Sequence, residues 1–270
     1  MPPVELPHGA GGAGLRSVPT RAAATRAAAA RAAAADAVST LVGAWEENAD
    51  DWTVWARRPG HDSYWRFHRE VFLGLVPPPS GLTLDVGCGE GRVARDLAAL
   101  GHRVVALDAA PTMARRTAEA GGLAGVLRAD ATALPVPDAA ADLVVAFMSL
   151  HDMDDMAGAV REIGRVLRPD GRLCFAVVHP LSEAGRFRGE EADAEFVLAG
   201  DYFERRRTRF STGKRGLPMT FEAMHRPLQD YFAALAAAGL LIESLREVRT
   251  SSGGQSDRIP WFVDARAVRI

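Results

Sequence analysis

Lysine is almost missing from this chain. Of the 32 basic residues in 270, only Lys214 is a lysine. With the abundance of alanine, this reads as coding bias from a GC-rich genome, not as a phosphate-binding design. An excess of one charge is missing too. The formal net charge is −2 and the pI about 6.4, so no overall basic field draws the chain to nucleic acid. Cysteine is limited to Cys88 and Cys174, both in apolar strand-like contexts. That argues against a disulfide framework and for a reducing cytoplasm. No apolar run approaches the roughly 20 residues of a membrane span. The start, Met1-Pro-Pro-Val-Glu, lacks the basic and apolar regions of a secretory signal, so none is expected. What remains is 48% apolar residues, ample for a core, at a length that suits one α/β domain with attachments.

One stretch organises the rest: Leu82-Thr-Leu-Asp-Val-Gly-Cys-Gly-Glu-Gly-Arg92. A short apolar run turns on three glycines and enters the helical pattern Val93–Leu100. A strand, a glycine loop and a helix N-terminus present free backbone N–H groups and let a ligand approach the main chain. A dinucleotide fingerprint reads G-x-G-x-x-G. Here the glycines are Gly87, Gly89 and Gly91, and Arg92 takes the place of the third fingerprint glycine. Asp85 just before the loop would repel a pyrophosphate but suit an ammonium group.

Asp85-Val-Gly-Cys-Gly-Glu-Gly91 resembles the first motif of the class I S-adenosylmethionine (SAM) methyltransferases. An NAD-dependent Rossmann oxidoreductase is the rival that the glycine spacing argues against. A SAM-fold regulatory module without catalysis is the other. The second strand, Gly101–Asp108, ends in an acid about 20 positions past the loop, placed to hold two ribose hydroxyls. Asp108 also suits the N-cap of a helix from Pro111. Asp130-Ala131 resembles the family's adenine-contacting position, with a turn role for Asp130 as the plain alternative. The resemblance implies a cofactor set of Asp85, Gly87, Cys88, Gly89, Gly91, Asp108, Ala109, Met113, Asp130, Ala131, Phe147 and Met148.

The resemblance spans roughly residues 41–270. Strand–helix alternation argues for a parallel sheet. The family's fold is an α/β Rossmann-like sheet of seven strands, the last antiparallel, and each has a candidate here. Leu143–Met148 reads as a fully buried strand, and Arg172–His179 as the fifth. Residues 1–36 read as a disordered or frayed Ala/Arg-rich tail. The methyltransferase domain is expected over 37–270, with a helical cap over 37–78 and a β-hairpin lid within 180–226. Trp45, Ala49, Trp52 and Trp55 share one helical face; Tyr64, Phe67, Val71 and Leu75 share another.

Methyl transfer from a sulfonium is an in-line displacement that the protein mainly orients and keeps dry. His151, His179 and His225 are candidate general bases, since each follows a strand or strand-like run near the carboxyl edge. Trp55, Arg57, His61, Tyr64 and Tyr202 are candidate acceptor contacts. His151-Asp-Met-Asp154 reads as an acid cluster at a helix start, so no metal is expected. Base-amino methyltransferases of nucleic acids carry an Asn- or Asp-Pro-Pro-aromatic motif after the fourth strand. Phe147-Met-Ser-Leu150 departs from it. The expectation is therefore a small-molecule acceptor, a specialised metabolite among the options, and a monomer or homodimer without nucleic-acid or membrane partners.

Overall fold

The computed structural model describes residues 40–250 and 252–270. The tail expected over 1–36 lies outside the described residues.

A seven-stranded sheet forms the frame, in the order β10-β11-β5-β4-β1-β2-β3. Its strands are β1 (Leu82–Val86), β2 (Arg103–Asp108), β3 (Gly125–Arg128), β4 (Ala141–Phe147), β5 (Leu167–Val178), β10 (Leu240–Val248) and β11 (Phe262–Arg269). β1, β2, β3, β4 and β5 pair in parallel, and β11 runs antiparallel between β5 and β10. The seven-stranded, last-antiparallel expectation is met. Arg168-Pro-Asp-Gly171 bulges out of β5, with Asp170 at φ +62°, so the β4 partner jumps from Leu167 to Arg172.

Helices cover both faces, which is why the central strands read as unbroken apolar runs. α4 (Arg92–Ala99) and α5 (Pro111–Ala120) follow β1 and β2; α6 (Met156–Val166) and α8 (Leu228–Ala237) follow β4 and the insertion. One core layer joins Leu84, Val144, Phe175, Ile163, Tyr231 and Leu235. The other joins Val93, Leu97, Val104, Val145, Cys174 and Phe72. Successive strand residues point to opposite layers, as the pleat requires.

The cap begins with α1 (Leu41–Glu47), whose N-cap Thr40 Oγ1 accepts the Gly43 N–H at 3.1 Å, and α2 (Ala49–Arg57). A π-helical turn, Tyr64–His68, then runs into α3 (Arg69–Leu73). That wide turn corrects the expected face. Tyr64, His68, Phe72 and Leu75 are buried, while Phe67 and Val71 are only half-buried. Spacing of 3.6 residues does not hold across an i→i+5 turn. His68 Nε2 lies 2.7 Å from Asp264 Oδ1, linking the cap to β11.

The insertion after β5 holds α7 (Pro180–Ala184), a ribbon of β6 (Gly185–Phe187) and β7 (Phe196–Leu198), and the hairpin β8 (Arg206–Lys214)–β9 (Leu217–His225). The hairpin lies against the cap through Phe221, which meets Trp45, Trp52 and Trp55 edge-on at 6.5, 6.1 and 5.8 Å.

Candidate functional site

The sheet reverses its strand order between β1 and β4, and open α/β sheets bind ligands outside the carboxyl ends at such a switch. The glycine loop stands there. Gly87, Gly89 and Gly91 have φ of +74°, +57° and +87°, a region costly for other residues. A Cβ on Gly87 would lie 2.4 Å from the Ser149 Cβ. Its absence lets Ser149 Oγ donate to the Val86 carbonyl at 2.7 Å, stitching the tops of β4 and β1.

Asp108 braces this loop. Its Oδ2 accepts the Gly89 N–H at 2.8 Å and its Oδ1 accepts the Ala110 N–H at 2.9 Å. Burial still pushes its carboxyl up to about 6. Asp85 is buried at 1% exposure, and its Oδ2 has no hydrogen-bond partner. Burial, then the nearby Asp108 charge, pushes its carboxyl up to about 7. Two carboxylates held close in an apolar wall form an unbalanced negative centre.

Both line a cavity of about 810 Å³. Of the expected cofactor residues, Gly87, Cys88, Gly89, Ala109, Met113, Asp130, Ala131, Phe147 and Met148 line it too. Gly91 does not; it is the N-cap of α4, where a Cβ would meet Thr117 at 2.8 Å. Asp130 Oδ1 accepts from the Thr132 N–H and hydroxyl, both at 2.8 Å, so the turn role is present. Met148 has φ +54°, a strained conformation for a non-glycine residue at the lip of β4.

The expected acceptor and base residues divide. Trp55 and His151 line the cavity. Arg57 does not: its Nε donates to Glu90 Oε2 at 2.7 Å and braces the glycine loop from outside. His61 is fully buried, edge-on to Trp55 at 4.2 Å, with neither ring nitrogen partnered. Tyr64 donates its hydroxyl to Asp96 and packs its ring on Phe147. Tyr202 ties the insertion to α8, its hydroxyl accepting the Leu228 N–H at 3.2 Å. His179 is the N-cap of α7: its Nδ1 accepts the Leu181 N–H at 3.1 Å. His225 stands behind the wall, donating Nε2–H to the Tyr202 carbonyl at 2.9 Å, with Nδ1 3.4 Å from Glu183 Oε2. Helix capping and insertion packing, not position near an edge, fix these last two.

Sequence reasoning did not single out several lining residues. Arg92, Asp152 and Glu183 face the cavity, as do Trp52 of the expected cap and Lys214 and Phe221 of the expected lid. Arg92 signalled only a missing glycine; it pairs with Asp62 at 2.6 Å and lies over the Trp52 and Tyr64 rings. His151 is 5% exposed, and burial depresses its imidazole to about 4.

An open sheet with a ligand crevice at its switch point defines a nucleotide-type binding fold. Asp85's buried, unpartnered oxygen and the side-chain-free loop fit the cationic SAM and would repel a pyrophosphate. Residues 84–175 match the methyltransferase domain family. Over 120 residues the chain is 44% identical to a demethylmenaquinone methyltransferase of Thermus thermophilus, covering 42% of this chain and 54% of that protein. Over 183 residues it is 36% identical to the 27-O-demethylrifamycin SV methyltransferase of Amycolatopsis mediterranei, covering 65% and 60%. A SAM-dependent methyltransferase structure from Mesorhizobium loti superposes with a TM-score of 0.61 at 23% identity, covering 77% of this chain and 98% of that one. Residues 84–175 thus carry a SAM-dependent methyltransferase domain, the described chain has the fold such enzymes share, and SAM is the domain's cofactor. The chain spans about half to three fifths of the length of these curated relatives.

Proposed function

We propose that this chain transfers a methyl group from SAM to a small-molecule acceptor enclosed between the sheet edge, the cap and the β8–β9 hairpin. The cavity carries the reading: the cofactor residues line only part of it. Its wall continues to Trp45, Trp52, Phe210 and Phe221, mostly apolar with a few polar groups, as small-molecule sites are. The two relatives named above methylate a demethylmenaquinone and a rifamycin by their names, which supports an acceptor of that size class.

The bound cofactor supplies an electrophilic methyl on a positively charged sulfur. The chain's residues do the remainder. Asp85 offers a negative centre to the ammonium, and Asp108 orders the loop and presents its free lone pairs to the ribose. The cap and hairpin aromatics exclude water and align the acceptor for in-line attack. His151 is the one expected base that reaches the cavity; its neutral imidazole is a proton acceptor with Nδ1 unengaged.

The test is transfer of label from methyl-labelled SAM to hydroxylated and aminated aromatic acceptors, with Asp85→Asn as control. Retention of labelled SAM but not NAD, with S-adenosylhomocysteine release that depends on an acceptor, is the expected result. SAM retained with no release from any acceptor indicates a binding module instead.

A further inference from the structure

The wall of the cavity beyond the cofactor residues contains two carboxylates that, among the described residues, no arginine or lysine pairs with directly. Asp152 lies in the 3₁₀ turn Leu150–Asp152 after β4, and Glu183 in α7. Both line the cavity. Every other acid away from the cofactor loop is engaged. Asp62 pairs with Arg92, Glu222 with Arg207, Asp155 caps α6, and Asp154 accepts the Leu41 N–H. Among the described residues the ion-pair partners of Asp152 and Glu183 are histidines only, His151 Nε2 and His225 Nδ1, each at 3.4 Å. The Arg226 charge acts on Asp152 from nearby but makes no ion pair with it: its N–H groups donate to the carbonyls of Met153 at 2.6 Å, Asp154 at 3.0 Å and His151 at 3.5 Å.

A second observation points to a ligand. His151 is 5% exposed and lines the same wall, and its Nδ1 has no partner. A buried polar atom left unpaired costs about 1–3 kcal/mol unless something completes it. Burial, then the Glu183 charge, holds the Asp152 carboxyl well above the usual range despite the nearby Arg226.

We propose that the acceptor carries a basic amine, and that Asp152 and Glu183 hold its ammonium group with His151 completing the contact. This rests on the methyltransferase reading above. A protonated amine offers what the cluster lacks: one positive charge and two or three N–H donors at close range. A hydroxyl offers one donor and no charge, and a carboxylate would add to the repulsion. The aromatic walls, Trp45, Trp52 and Phe221, suit the apolar body of such a molecule.

Calorimetry on the full chain saturated with S-adenosylhomocysteine tests this, because the cofactor end is then filled and only the acceptor end is read. Tryptamine and tryptophol serve as probes, alike except for ammonium against hydroxyl. The expected result is tighter binding of tryptamine by about tenfold or more, the scale of one charge-assisted contact. Asp152→Asn and Glu183→Gln should each reduce the preference to under about threefold, while S-adenosylhomocysteine affinity stays unchanged. Equal binding, a preference for tryptophol, or failure of both probes on the loaded protein overturns the proposal. So does a preference that survives in both variants. Failure to bind S-adenosylhomocysteine at all refutes the methyltransferase reading instead. A variant that loses it through misfolding is set aside, and the wild-type preference then decides.

Discussion

The cofactor end and the proposed acceptor end of the cavity are built in different ways. Asp85, Gly87, Gly89 and Asp108 come from one strand–loop–helix–strand segment, and the chain's own covalent order brings them together. The acceptor end takes Trp52 from the cap, Ser149 and Asp152 from the loop after β4, Glu183 from α7 and Phe221 from β9. No local pattern specifies that assembly; docking of the hairpin on the cap does. One end is therefore set by secondary structure, the other by tertiary packing. Changes at the two ends should separate cofactor binding from transfer.

The largest expected effect is Asp85→Asn, which removes the buried charge facing the ammonium. SAM affinity should fall by about 2–3 kcal/mol, roughly 30- to 150-fold by calorimetry. The same change should stabilise the free protein. Folded Asp85 holds its proton up to about pH 7, against 3.8 for an aspartate free in water. Between those values the unfolded chain binds fewer protons than the folded one, so stability falls as pH rises through that window. At pH 8 the variant should melt higher, by about 2–4 °C per kcal/mol regained. For wild type, SAM affinity should weaken as pH drops from 8 to 5, while Asp85 and then Asp108, at about 6, take up protons.

Asp108→Ala comes next, at about 1.5–3 kcal/mol of SAM affinity. Because Asp108 accepts the Gly89 and Ala110 N–H groups, this variant should also lose melting temperature, which Asp85→Asn should not. Unchanged affinity in a folded Asp108→Ala would remove the ribose role. At the other end, Phe221→Ala deletes three edge-on contacts, each worth about 0.5–1.5 kcal/mol. Transfer to an acceptor should drop by about tenfold or more while S-adenosylhomocysteine affinity stays within about threefold. Equal loss of both would mean that the two ends are not separable. The smallest effect is expected from starting the chain at Ala37. Low complexity and the lack of an apolar face predict unchanged melting temperature and SAM affinity.

The difference between the ends also explains what the sequence could tell. The seven strands, the antiparallel last strand and the glycine loop were legible because each rests on local pattern or on family resemblance. The hairpin expected within 180–226 is β8–β9. His179 and His225 were misplaced because nearness to a strand end says nothing of where a ring points. Backbone N–H capping claimed the first and the Tyr202 carbonyl the second. Tyr64 stood on the right face of its helix but spent its hydroxyl on Asp96. Asp152 and Glu183, 31 positions apart by number, had no shared signal at all. Only the folded cavity sets them side by side on one wall.

Arg226 carries a consequence for how such proteins diversify. It is the first residue after β9, and its guanidinium clasps the loop from His151 to Asp154. The lid and the loop beneath it are thereby heritable as one cassette. A graft that swaps the hairpin but ends at position 225 keeps the host clasp and presents new side chains to an unchanged floor. A graft that reaches 226 without an arginine leaves three carbonyls to find water, and the floor shifts with the lid. Exchange points on either side of this one residue mark the line between retuning a binding surface and rebuilding it.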